Sequence, residues 1–145
     1  MEPIKGTEID LQLSQEYLSG YLNPYKVYYF DIYLSNTSKR IGYIDLRLGH
    51  SDYLYYLGNI GYRIDEPWRG HHYALSACKM VLPFAKQRGM EYLIITCDPD
   101  NLASKRTLEE LGGTFLGRKK IPLHHALYLE GFKAKLIYRY NLKEN

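Results

Sequence analysis

The chain has 145 residues, 46% of them hydrophobic, and a formal net charge of +3 at pH 7. That length suits one ordinary domain with its own core, and the charge is too small to make nucleic acid the main partner. No apolar run approaches the roughly 18 residues that span a bilayer. The opening MEPIKGTEID lacks the basic and apolar regions of a signal peptide, so neither a membrane partner nor a secretory leader is expected. The only cysteines, Cys78 and Cys97, fall in apparent core segments without paired or metal-ligand spacing. They point to reduced thiols, a cytoplasmic protein and no bound metal.

Taken in chain order, EIDLQLS is a candidate N-terminal strand. KVYYFDIYLS places Tyr28, Phe30, Ile32 and Leu34 on one face, and the turn-rich SNTSKR separates it from the next run. In IGYIDLRLG, Ile44, Leu46 and Leu48 alternate with Tyr43, Asp45 and Arg47, and YLGNIGYRI follows with Ile60, Tyr62 and Ile64 on one side. Three antiparallel strands are expected. From Tyr73 the period becomes helical: Ala74, Cys78, Val81 and Ala85 form one stripe flanked by Leu75 and Leu82, with Gly89 placed to end the helix and Pro83 expected to kink it.

EYLIITC is a continuous apolar run of the kind found in a strand covered on both faces, which predicts a central strand parallel to a neighbour. DPDN then halts the strand and supplies N-cap side chains at Asp98, Asp100 or Asn101 for a short helix, LASKRTLEELGG, that ends at Gly112. On that helix Ser104, Leu108 and Leu111 share a stripe, so Ser104 is polar where the helix faces inward. A further strand begins near Gly113 and KAKLIYRYNL supplies the last. The order describes a single α/β domain over residues 1–145 with a mixed sheet. The sixteen tyrosines mostly occupy strand periodicity without an RNA-recognition motif, and the run Arg118, Lys119, Lys120 is read as solvated surface.

Between the third of these strands and the first long helix lies DEPWRGHHYA. A strand that hands a glycine-containing turn to a helix start leaves main-chain N–H groups unpaired at the positive end of the helix dipole, which suits phosphate. The residues match neither the phosphate-binding P-loop nor the dinucleotide Gly-x-Gly-x-x-Gly, and an ordinary turn with a surface arginine remains open. Adjacent His71 and His72 point about 100° apart on a helix, which argues against metal binding by the pair. Gly58 and Gly61 suit a bulge or a close approach within their strand.

The window Arg69, Gly70, His71, His72, Tyr73, Ala74 resembles the Arg/Gln-x-x-Gly-x-Gly/Ala fingerprint of the GNAT superfamily of acyl-CoA-dependent N-acyltransferases. NIGYRIDEPWRG and ITCDPDNLASKRTLEELGG extend the likeness over residues 58–113, and the pair Gly112 and Gly113 resembles a bacterial branch of acetyltransferases. The stretch before Tyr28 is shorter than the family's usual pair of N-terminal helices. The resemblance implies a mostly antiparallel mixed sheet with splayed fourth and fifth strands, helices on both faces, and acetyl-CoA as co-substrate. It implies the pyrophosphate on Arg69, Gly70, His71, His72, Tyr73 and Ala74, the pantetheine arm against Tyr62 and Ile64, and its thiol end at Asn101 and Ser104.

The implied activity is acetyl transfer to a primary amine of a small molecule, peptide or protein. The alternative is a CoA-binding module of the same fold that has lost turnover. Three departures bear on this. His72 stands for the first motif glycine and is expected to distort the main-chain cradle, Asn59 is the polar residue where many members have a glutamate base, and Leu108 replaces a proton-donating tyrosine. Ser104 and Tyr138 are the expected catalytic residues, with Glu130, His124, His125 and Tyr140 as further candidates. Acceptor specificity falls to residues 1–27 and 118–132, the least matched, and a homodimer is left open.

Overall fold

The computed structural model describes residues 1–142 as a single-domain α/β fold built from two antiparallel sheets and four helices. Strands β1 (Ile4–Lys5), β2 (Ile9–Ser19), β3 (Tyr25–Leu34), β4 (Arg40–Arg47) and β5 (Ile60–Ile64) form a meander, each paired with the next in sequence. Strands β6 (Tyr92–Cys97), β7 (Thr114–Lys120) and β8 (Ala134–Asn141) form the second sheet in the order β6-β8-β7. The helices are α1 (Asp52–Leu57), α2 (Tyr73–Gln87), α3 (Leu102–Leu111) and α4 (Ala126–Leu129). No helix among the described residues is long and apolar enough to cross a membrane.

The alternation of β3 to β5 turns Tyr28, Phe30, Ile32, Ile44, Leu46, Ile60 and Ile64 into one buried cluster, to which α2 adds Ala77, Cys78, Val81, Phe84 and Ala85. Phe84 meets Phe30 and Tyr28 edge-on, with ring centroids 5.1 and 5.0 Å apart. The second sheet adds Leu93, Ile95, Cys97, Leu136, Tyr138 and Tyr140. Val27, Ile94 and Ile137 alternate with these and are buried outside the cluster, together with Leu54, Ile121 and Leu127. Thr96, which alternates with Ile95 and Cys97, donates from its hydroxyl to the Tyr56 carbonyl of α1 at 2.9 Å, so α1 covers the face opposite α2.

Three sequence expectations change. YLGNIGYRI is a strand only from Ile60, because Ser51 caps α1 by accepting from the Leu54 N–H at 3.1 Å and Gly58 closes that helix at φ 89°. EYLIITC pairs antiparallel with β8, and its other edge makes no ladder with β5. The N-terminal strand continues to Ser19 and forms a long hairpin with β3. Pro83, where a kink is expected, lies inside α2, which runs on to Gln87, and brings no N–H to the helix ladder.

The unpaired β5–β6 edge has one point of closure. The Asn59 N–H donates to the Ile94 carbonyl at 2.6 Å, and the Asn59 Oδ1 accepts from the Ile94 N–H at 2.8 Å. Its Nδ2 donates to the Arg47 and Gly49 carbonyls, both at 2.8 Å. Beyond this pin the two sheets diverge. A Cβ at Gly58 would crowd the Thr96 backbone at 3.2 Å, and one at Gly61 would overlap the Arg47 guanidinium. Both glycines therefore permit the close approach that their strand setting suggested.

Candidate active site

A cleft of about 500 Å³ opens where the sheets part, between the end of β5, the start of α2 and one side of α3. After β5 a single 3-10 turn, Glu66–Trp68, leads into Arg69 and Gly70, with Gly70 at φ 90°. His72 is the N-cap of α2 at φ 62° and ψ 23°, in the left-handed region, and its side chain makes no capping hydrogen bond. The first helical N–H to find a main-chain partner is that of Ser76, which donates to the His72 carbonyl at 3.1 Å. The N–H groups of Tyr73, Ala74 and Leu75 stand ahead of it, at the positive end of a 15-residue helix. A terminus of this kind, made of main chain, suits an anion.

The left-handed His72 bears on the expectation of a distorted cradle. Histidine adopts here a backbone conformation that glycine reaches without steric cost. Its Nδ1 lies 3.6 Å from Glu110 Oε2 on α3, a contact across the mouth of the cleft that becomes an ion pair when the imidazole is protonated. Arg69 faces the other way, donating from Nε to the Ile64 carbonyl at 2.8 Å, which ties the turn to the end of β5.

At the inner end, the Tyr62 hydroxyl donates to the Ser104 Oγ at 3.1 Å. Because Ser104 accepts there, its own O–H is available to a further partner. Burial pushes the Tyr62 phenol above its ordinary value, which keeps it protonated and a donor near neutral pH. Asn101 caps α3 by accepting from the Ser104 N–H at 3.1 Å, so one side chain fixes the helix start and the place of the serine.

The acetyltransferase (GNAT) domain family matches residues 3–114 of this sequence. The chain belongs to the GNAT family. The domain is therefore an acetyltransferase domain, and solved structures of low identity share its fold. The acetyltransferase (GNAT family) from Bacillus anthracis has a TM-score of 0.64 at 21% identity, covering 80% of this chain and 67% of that one. A putative ribosomal-protein-serine acetyltransferase from Vibrio cholerae reaches 0.68 at 16% identity, over 97% of each chain. RimL, a ribosomal L7/L12 alpha-N-protein acetyltransferase in complex with coenzyme A, reaches 0.69 at 15% identity, over 97% of this chain and 98% of that one. No curated protein matches the sequence.

Within this GNAT domain, the cleft gathers Tyr62, Ile64, Arg69, Gly70, His72, Tyr73, Ala74, Asn101 and Ser104, all singled out from sequence. It does not gather His71 or Tyr138. The His71 ring stacks on Tyr73 at 5.2 Å on the exposed side of the turn. Tyr138 is 3% exposed, its ring 5.1 Å from that of its cross-strand neighbour Phe115 on β7, among side chains of the core. Tyr140 is likewise structural, donating to the Leu108 carbonyl at 2.6 Å.

His125 accepts the Leu127 N–H at Nδ1 and meets the Tyr53 carbonyl with Nε2 at 2.9 Å, which fixes the neutral tautomer with its hydrogen on Nε2 and makes it the cap of α4. His124 and Glu130 are exposed outside the cleft. Leu108, where the resemblance expects a tyrosine, is wholly buried. The cleft also holds Arg63, Trp68, Arg106, Thr107 and Glu110, which the sequence reading did not select. Ala103, Arg106, Thr107 and Glu110 recur at intervals of three and four, a helical stripe one step round from the Ser104 stripe.

Burial raises the pKa of both thiols, Cys78 to about 12 and Cys97 to about 11, so neither is poised as a nucleophile. Among the described residues no cluster of three or more His, Cys, Asp or Glu side chains could hold a metal ion.

Proposed function

We propose that this GNAT domain transfers the acetyl group of acetyl-CoA to a primary amine. The uncapped N-terminus of α2 at the mouth of a cleft that ends at the Tyr62–Ser104 pair carries the reading. The pyrophosphate is assigned to the N–H groups from Gly70 to Ala74, with Arg69 and His72 flanking it. Tyr62 and Ile64 line the path of the pantetheine arm, while Asn101 and Ser104 hold its thiol end.

The amine nitrogen, once it has lost a proton to water, forms a bond to the thioester carbonyl carbon, and the carbon–sulfur bond breaks. Sulfur leaves as a thiolate and takes up a proton, so an ammonium group and acetyl-CoA yield an amide, CoA thiol and one proton. Ser104 is placed to donate a hydrogen bond to the departing sulfur, backed by Tyr62. No side chain in the cleft stands in for the glutamate base, so water carries the amine proton and much of the rate comes from positioning. Similar structures named for acetylation of ribosomal proteins make a protein amine a reasonable acceptor to test.

Calorimetry with CoA tests the assignment. The combined change Arg69→Ala and Gly70→Pro removes the tie to Ile64 and forbids φ 90° at the turn. CoA affinity of the folded variant should fall at least tenfold, and unchanged affinity would overturn the phosphate assignment.

A further inference from the structure

A second cavity, of about 480 Å³, opens at the end of β6. Asp98, Asp100 and Asn101 line one part of it, and Arg118, Phe132 and Lys133 another. Asn101 borders both this cavity and the first cleft, so the two meet at the cap of α3, next to Ser104. An acceptor entering here arrives where the thioester would lie, without crossing the path assigned to CoA.

The charges of this second cavity are unequal. Asp98 Oδ1 lies 2.8 Å from the Lys135 Nζ, whose side chain is 12% exposed, and Lys135 also sits 5.0 Å over the Phe132 ring. That pair cancels itself. Asp100, Arg118 and Lys133 take part in none of the ion pairs among the described residues. Lys133 is held 4.1 Å over the Tyr128 ring, a contact that positions the ammonium and leaves its charge in place. One uncompensated carboxylate therefore faces two uncompensated cations. A plain alkylamine, cationic in water, would meet net repulsion here. An amine that also carries an anion would satisfy both sides, its nitrogen toward Asp100 and its anion toward Arg118 and Lys133.

We propose that this cavity is the acceptor subsite and that it selects a primary amine bearing a nearby anionic group. The anion is either the carboxylate of a free amino acid or an acidic side chain beside a peptide N-terminus. The assignment rests on the acetyl-transfer reading, and a binding measurement separates the two.

The probes are two matched pairs: aspartic acid with asparagine amide, and the amidated dipeptides Ala-Asp and Ala-Asn. Each is titrated calorimetrically into the CoA-loaded protein and, separately, incubated with acetyl-CoA with product read by mass spectrometry. In at least one pair the acidic member should bind about tenfold tighter than the neutral one. Which pair shows the preference identifies the source of the anion. The double change Arg118→Gln and Lys133→Gln should reduce the preference to below about threefold. CoA affinity should not change, since neither residue borders the first cleft. Equal affinity within both pairs, no binding of any probe, or a preference that survives the double change would overturn the assignment. A charge-dependent preference without acetylated product would leave the subsite standing and overturn acetyl transfer instead.

Discussion

Asn59 occupies the strand position where many relatives are expected to carry a base, yet its hydrogen bonds give it a different task. It has no exposed surface, and both hydrogens of its Nδ2 are spent on the Arg47 and Gly49 carbonyls while Oδ1 holds the Ile94 N–H. Replacement by alanine leaves those three groups without their partner. A buried polar group so orphaned costs about 1–3 kcal/mol. The Ile94 N–H, inside the sheet junction, belongs at the upper end, while the Gly49 carbonyl lies on an exposed residue where water replaces the lost donor at little cost. Together the three give about 3–5 kcal/mol, a large part of the stability of an ordinary domain. At about 3 °C per kcal/mol for a chain of this size, Asn59→Ala should melt about 10 °C below the parent.

Asn59→Asp sharpens the test. The aspartate keeps an acceptor for Ile94 but turns an oxygen toward two carbonyl oxygens. Its loss at pH 7 should equal or exceed that of alanine, and it should shrink in acid, where the protonated carboxyl can donate to one of them. Thermal and urea denaturation at pH 7 and pH 4.5 read both effects. An alanine variant melting within about 3 °C of the parent at pH 7 would refute the pin, and Asn59 would again be free to act in the chemistry.

Two further outcomes are expected. Ser104→Ala and Tyr62→Phe should each lower kcat by about tenfold or more while shifting KM for acetyl-CoA little, because the hydroxyl pair is assigned to the leaving sulfur. A loss confined to KM would move both residues to a pure binding role. Burial pushes the Asp10 carboxyl up, but the Gly6 N–H at 3.1 Å, the Ser35 hydroxyl at 2.9 Å and the Lys5 ammonium at 3.2 Å outweigh it and hold its pKa below the usual range. A depressed folded pKa stabilises above the unfolded value near 3.8 and ceases to do so as pH falls through the folded value. Asp10→Asn should thus cost about 1 kcal/mol at pH 7 and progressively less below pH 3.8, and a difference independent of pH would remove Asp10 from the stabilising set.

What was legible in the sequence was legible for physical reasons. Period-2 alternation marks β3, β4 and β8 because one face of each packs into the main core, and the 3.6-residue stripe of α2 marks the helix that covers it. α1 escaped because Tyr55, Tyr56 and Leu57 are as apolar as a strand, and only the Ser51 cap and the Gly58 stop distinguish six helical residues from the strand that follows. The antiparallel pairing of β6 escaped because an apolar run reports burial on both faces and says nothing of direction. Tyr138 and Ser104 both look like inward polar groups in their elements. Which of them reaches the cleft depends on how α3 lies over β8, a tertiary fact with no local signal.

His72 shows why a motif read by residue type can mislead where the same motif read by backbone does not. The fingerprint glycine serves the turn by allowing a positive φ, so that successive N–H groups point at one anion. A histidine held at φ 62° supplies the same path, at a steric cost of about 1–2 kcal/mol for an L-residue in that region. That cost is borne in an exposed turn, where the surrounding structure is tied down by the Arg69 contact to Ile64. In return the turn gains an imidazole 3.6 Å from Glu110, the one carboxylate lining the cleft. The substitution therefore sets His72 beside Glu110 on α3, and the proposed phosphate contact falls to the main chain that the two leave open.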